Sequence, residues 1–217
     1  MDILFKIVLS FHILGGLTGL TTGAINLIRK KGDKNHRAVG KIFTYGMLTA
    51  GGSSLLLSAL HPNYFLFNVG VFTIYLVGTG KRYIHAKMMG KGGKPALIDW
   101  ALTIGMMLSG LVLAGFGVYH LIGGNMFGIV FIVFAFVGLR AVKDDFDNYS
   151  GKPKEKNFWL LAHILRMTAG YIAATTAFLV VNYKYLPIEL PSVVVWLLPT
   201  IIFTPLIIRW TRKHQVQ

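Results

Sequence analysis

The chain contains no cysteine. Disulfides, thiolate metal sites and cysteine nucleophiles are therefore excluded. Acids are scarce too: eight Asp and Glu stand against 22 Lys and Arg, a formal net charge of +14. Charged residues of either sign make up 14% of the chain, well below the roughly 25% of a soluble domain, while 54% is hydrophobic. That balance places the chain among membrane proteins. Catalytic signatures are also missing. There is no H-x-x-x-H or H-E-x-x-H zinc helix, no G-x-S-x-G, and no acid pair inside an apolar run. The last apolar run, "PSVVVWLLPTIIFTPLII", has no lysine, which argues against a Schiff-base retinal pigment. Its Pro199 and Pro205 are expected to kink or interrupt the helix.

What is present is a series of long apolar runs. About 20 such residues suffice to cross a bilayer. Seven runs qualify, at roughly 7–28, 40–60, 64–84, 98–120, 123–141, 158–182 and 191–209. The expected fold is all-α: a single polytopic bundle over residues 1–217 with seven transmembrane helices. The first run extends to Ile28, too long for the core of a cleavable leader, so it reads as a true span. Segments 29–41, 81–94, 140–156 and 209–213 hold six, five, five and three Lys/Arg, whereas the opposite side holds only Lys6 and Lys184. This asymmetry places the N-terminus outside and the C-terminus in the cytoplasm. Trp100, Trp159 and Trp210 fall at the cytoplasmic boundary, and Tyr183 and Tyr185 at the outer one.

The positive charge lies in short loops between apolar runs, and no nucleic-acid-binding signature accompanies it, so nucleic acid is not an expected partner. The expected partner is the lipid bilayer, with anionic headgroups at the cytoplasmic face. Oligomeric state is not readable. No connection is long enough to fold as a separate module, and no repeat splits the runs into the inverted halves of many transporters. "GKGGK" (90–94) lacks the Ser/Thr of a phosphate loop and reads as a flexible turn, and "KDDFDN" (143–148) reads as a helix end rather than a calcium loop.

Helical spacing then sorts the faces. In the first run Gly15, Gly19 and Gly23 form small-xxx-small steps, and His12, Gly16, Gly19 and Gly23 share one side. In the sixth run His163, Arg166, Gly170, Ala173 and Ala177 form one stripe. Asp99, Thr103, Met106, Gly110 and Gly117 share a face of the fourth run, and Asn68, Tyr75, Thr79 and Arg82 one of the third. His163 and Arg166 lie roughly 9 Å and 13 Å inside the cytoplasmic boundary. An arginine at the membrane centre costs about 2.5–3.5 kcal/mol on insertion scales, so Arg166 requires a partner. Asp99 is the first candidate, with Asp144 and Asp145 as the others.

Two sites are conceivable. An inner cluster of His36, Arg37, Arg82, His85, Asp99, Arg140, His163 and Arg166 could bind an anionic headgroup, a quinone, or haem propionates with a histidine as axial ligand. The plainer reading is boundary anchors plus one ion pair. An outer site of His12 with His61 or His120 would suit haem ligation or a divalent metal, against the plainer reading of a packing histidine beside two loop histidines. The candidate cofactor contacts are thus His12, His36, His163 and Arg166. The candidate ion-pair residues are Arg166, Asp99, Arg82 and Arg140. No residue stands out as catalytic.

The succession "HILGGLTGL…NLIRKKGDKNHRAVGKIFTYGM", "DW" opening the fourth run, "WLLAHILRMTAGYIAATTAFLVVN" and "WLLPTIIFTPLIIRWTRK" resembles a family of small bacterial seven-span integral membrane proteins of unknown function. The resemblance covers nearly the whole chain and marks His12, His36, Arg37, Gly40, His163, Arg166 and Met167 as motif positions; no activity comes with it. "HRAVGK" with "ALHP" is more weakly similar to transmembrane b-type cytochromes and ferric-reductase-like domains, which implies haem held by histidines on adjacent helices. The leading expectation is a membrane electron-transfer protein holding haem b, a quinone or a metal. The alternatives are a transporter of a small solute, proton or lipid with Arg166–Asp99 as a switch pair, and a non-catalytic subunit or scaffold.

Overall fold

The structure, a computed structural model, describes residues 3–85, 94–185, 187 and 189–215. All regular structure among them is helical. Seven α-helices follow one another: α1 (Ile3–Ile28), α2 (Lys34–Leu60), α3 (Tyr64–His85), α4 (Leu97–Ile122), α5 (Gly128–Tyr149), α6 (Phe158–Asn182) and α7 (Ser192–His214). A short 3-10 turn, Tyr183–Tyr185, follows α6. Five of the helices, α1, α2, α4, α6 and α7, are long and apolar enough to cross a membrane. The chain is thus an all-α protein with the helices of an integral membrane protein.

Each apolar run became a helix, but the fifth is displaced from its expected bounds of 123–141. Residues 123–127 belong to the turn, and α5 continues past Arg140 to Tyr149. The apolar run stops at the first charges, whereas the helix continues because its inward face stays small or shape-matched: Gly138, Ala141, Val142 and Asp145 are all buried. The "KDDFDN" stretch is therefore helical through Asn148. Of the expected kink or interruption at Pro199 and Pro205, α7 shows no interruption and runs through both as one helix. "GKGGK" lies almost entirely outside the described residues.

Contacts divide the chain into two compact units, Met1–Gly78 and Thr79–Gln217, with the boundary inside α3. In the first unit α1 and α2 pack antiparallel through glycine. A Cβ on Gly15 would stand 2.7 Å from Gly46 O, and one on Gly46 would stand 2.9 Å from Gly15 O. Nothing larger than hydrogen fits at either position. Gly51 and Gly70 play the same part between α2 and α3: a Cβ on Gly70 would lie 2.8 Å from Leu55 Cδ2. Hydroxyls on α2 are satisfied within their own helix, as in Ser54 Oγ donating to Gly51 O at 2.7 Å and Thr44 Oγ1 to Gly40 O at 2.8 Å. Gly16 departs from the expected packed face, since a Cβ there would meet nothing within 4 Å. The contact face runs through Gly15, Gly19 and Gly23 instead.

In the second unit α4 and α5 pack antiparallel. Gly117 accommodates Ile132 at 2.7 Å from its would-be Cβ, and Gly110 accommodates Leu139 at 2.8 Å. The inward face of α4 is the one spacing indicated, with Asp99, Thr103, Met106, Gly110 and Gly117 all buried. Gly80 of α3 lies against α6, where a Cβ would stand 3.1 Å from Arg166 Cβ and 3.0 Å from Met167 Sδ. On α6, Arg166, Gly170 and Ala173 are buried, but Ala177 is exposed, so the expected stripe ends one turn early. α7 packs on α6, for example through Tyr171 and Phe203, whose ring centroids are 5.5 Å apart.

Candidate functional site

Arg166 and Asp145 form the centre of the second unit. Arg166 is 1% exposed and Asp145 is fully buried. Arg166 Nη2 donates to Asp145 Oδ1 at 2.6 Å and to Ala141 O at 3.1 Å. Its guanidinium lies over the Tyr83 ring, 4.5 Å from the centroid, which adds a cation–π contact. Both carboxylate oxygens of Asp145 are engaged further: Tyr83 Oη donates to Oδ1 at 2.6 Å and Thr103 Oγ1 to Oδ2 at 2.9 Å. Asn148 Nδ2 then donates to Tyr83 Oη at 3.0 Å, and Tyr149 Oη stands 3.3 Å from Thr103 Oγ1. Four helices thus contribute to one hydrogen-bonded cluster. A charge pair removed from water is tolerated only when its remaining lone pairs are satisfied in this way. The cluster's acceptors are occupied by its own donors, so its chemistry is that of a structural clamp.

The expected Arg166–Asp99 pair is not formed. Asp99 binds Arg82 instead, through Arg82 Nε to Oδ1 and Arg82 Nη2 to Oδ2 at 2.7 Å, a two-pronged fork. Asp99 Oδ2 also accepts from Ala96 N at 2.8 Å and so satisfies an amide at the start of α4. The reason is the longer α5. Its two further turns bring Asp145 onto the buried face, where it meets Arg166. Arg140 belongs to neither network: it pairs with Asp144 one turn on, with both side chains substantially exposed.

The histidines separate into different situations. His163 Nδ1 lies 2.8 Å from Gly80 O. Since a carbonyl only accepts, Nδ1 carries the proton there. His12 follows the same rule in the first unit, with Nδ1 2.9 Å from Ala50 O and 3.3 Å from Ser53 Oγ. His12 is half-buried and stands about 14 Å from the start of α1. Its proton on Nδ1 leaves Nε2 as the basic nitrogen, and Nε2 has no partner among the described residues. A histidine held by one ring nitrogen on a carbonyl presents the other as a ligand atom. His36 lies at the start of α2, where its backbone carbonyl accepts from Asn26 Nδ2 at 3.2 Å and its own Nδ1 is buried without a partner.

The proposed groupings follow from these positions. His12 and His36 belong to the first unit, His163 and Arg166 to the second. Of the outer histidines, His61 packs edge-on against Phe5 at 4.6 Å, and His120 stacks on Phe131 at 5.2 Å. No group of three or more His, Cys, Asp or Glu is placed to hold a metal ion among the described residues. Tyr83, Thr103 and Asn148 were not singled out from sequence as members of the Arg166 site. The usable signal was position: Thr103 falls one turn from Asp99 on a face of the fourth run already identified as inward.

Compared with protein-family models, curated proteins and solved structures, the chain matches none.

Proposed function

We propose that this is an integral protein of the bacterial cytoplasmic membrane, crossing it seven times with the N-terminus outside and the C-terminus in the cytoplasm, and that it binds a membrane quinone or quinol at His12. The observation that carries the binding reading is the tied Nδ1 of His12 within an apolar helix, with Nε2 unpartnered among the described residues. An ionisable side chain inside a span is a functional candidate by default. Nε2 would accept a quinol hydroxyl, and Phe11, exposed beside it, offers an apolar surface for the ring.

Haem b fits less well. His12 lies opposite Ala50 of α2, and His36 and His61 stand about 21 Å and 16 Å from that level along the helix, too far to face His12 across one haem. A divalent metal has no set of three ligands among the described residues.

Quinone content decides the matter. Native protein purified in mild detergent is expected to retain stoichiometric quinone, with no Soret band, and His12→Phe to lose the quinone while remaining folded. Native protein without quinone, or with stoichiometric haem or metal, overturns the assignment. Topology is tested separately. The chain has no cysteine, so single substitutions report cleanly. In intact cells an impermeant maleimide is expected to label Asn125→Cys, and to label Ser150→Cys only after permeabilisation.

A further inference from the structure

The turn between α1 and α2 gathers six cations between Arg29 and Lys41 against one acid, Asp33. Arg29 and Lys30 follow the end of α1 at Ile28, and Lys34, Arg37 and Lys41 stand at i, i+3 and i+7 on α2, which puts the last three on one exposed stripe. The single acid in the segment, Asp33, is committed to the helix: its Oδ1 accepts from His36 N at 2.6 Å. The pairs Arg82–Asp99, Arg140–Asp144, Lys143–Asp147 and Arg166–Asp145 all lie in the other unit. Lys31 differs from its neighbours, since its Nζ folds back onto Asn26 O at 2.5 Å and Leu27 O at 2.7 Å.

The same exposed face changes character one turn further along α2. Ile42 is 50% exposed and Tyr45 62%. On α1 the residue before the basic pair, Ile28, is 88% exposed. Cations at the tip with bare aliphatic and aromatic surface below them match the profile of a phospholipid from phosphate to acyl chain. A soluble phosphate would use the cations and leave the apolar part idle.

We propose that this turn is a docking site for an anionic phospholipid, its phosphate held by Lys34, Arg37 and Lys41 and its acyl chains lying along Ile42 and Tyr45. The proposal rests on the membrane reading of α1 and α2 but not on the quinone site. Clusters of basic residues next to a span attract anionic lipid by about 1 kcal/mol each, so three of them are worth at least about ten-fold in retention.

The test uses the full chain, delipidated in detergent and then incubated with phosphatidylglycerol or phosphatidylcholine, with retained lipid counted by native mass spectrometry. Phosphatidylglycerol is expected to be retained at least about ten-fold over phosphatidylcholine. K34Q/R37Q/K41Q is expected to abolish that preference. K152Q/K154Q/K156Q, which removes the same charge from another exposed segment, is expected to keep it. Equal retention of the two lipids by the native chain overturns the proposal, as does equal loss in the two triple variants. Displacement of phosphatidylglycerol by millimolar glycerol phosphate would assign the site to a soluble anion and overturn the lipid assignment. Should the α2 variant misfold, the comparison of lipids on the native chain still decides. Quinone content is read separately, so failure of one proposal leaves the other standing.

Discussion

In the first unit helices meet through glycine, and the polar groups between them are hydroxyls that bond to their own helix and a histidine, His12, held on a backbone carbonyl of α2. In the second, glycines still open the α4–α5 contact, but the centre is an arginine and an aspartate sealed from solvent with a tyrosine and a threonine. The two also treat charge differently. The first unit leaves its cations exposed at the α1–α2 turn, while the second pairs Arg82, Arg140, Lys143 and Arg166 with aspartates. Close backbone approach stabilises by dispersion alone and tolerates no added atom. A buried ion pair tolerates no missing partner. The two units should therefore fail by opposite kinds of substitution, one by addition and the other by deletion.

The largest effect is expected from deleting half of the buried pair. Arg166→Met leaves Asp145 charged in an apolar interior and should cost about 3–5 kcal/mol of unfolding free energy, measured by denaturant titration in detergent. Arg166→Met combined with Asp145→Leu removes both charges and should recover most of that loss. A cost below about 1 kcal/mol for Arg166→Met would remove the contrast between the units, because it would make the pair no more than a surface bridge.

Next comes addition in the first unit. Gly15→Ala places a methyl against Gly46 O and should cost about 1–3 kcal/mol. Gly16→Ala, one position on, meets open space and should instead stabilise by about 0.5–1 kcal/mol through helix propensity. The opposite signs at adjacent glycines are the sharpest check on close approach, and thermal unfolding of the two variants side by side reads them directly.

The Arg82–Asp99 fork is intermediate. Asp99 is nearly buried, whereas the Arg82 side chain is 39% exposed. Arg82→Gln should therefore cost only about 0.5–1 kcal/mol, while Asp99→Ala, which also frees the Ala96 amide, should cost about 2 kcal/mol. Equal losses would mean that Asp99 acts only through Arg82 and that its bond to the start of α4 adds nothing.

Much of this was legible beforehand. Length and hydropathy located all seven helices, and the 3.6-residue period identified the inward faces of α1 and α4, with Gly16 misplaced because His12, Gly16 and Gly19 sit close to the edge of one stripe. Depth showed that Arg166 needed a partner. Which aspartate it would be was not legible, because hydropathy ends a span at the first charges and so cut α5 off at 141. A charged residue can continue a helix when its side chain points inward to a partner, and that information resides in another helix. Continuing the period from Gly138 through Ala141 to Asp145 would have put the carboxylate on the buried face. The tie from His12 to Ala50 O was illegible for a related reason: a backbone acceptor has no signature in the residue that carries it.

The smallest effect tests whether exposure, rather than charge, is what divides the pairs of the second unit. Arg140 and Asp144 sit one turn apart on α5, with side chains 45% and 38% exposed. Basic-before-acidic at i, i+4 is also the weaker orientation on a helix, so Arg140→Gln should cost no more than about 0.5 kcal/mol. Salt should distinguish it from Arg166. At about 1 M the screening length falls to about 3 Å, which should erase the Arg140→Gln difference and leave the Arg166→Met loss in place, because no ion reaches a group 1% exposed. If the two losses fade together as salt rises, the Arg166 cluster is accessible to water and cannot be the sealed clamp of the second unit.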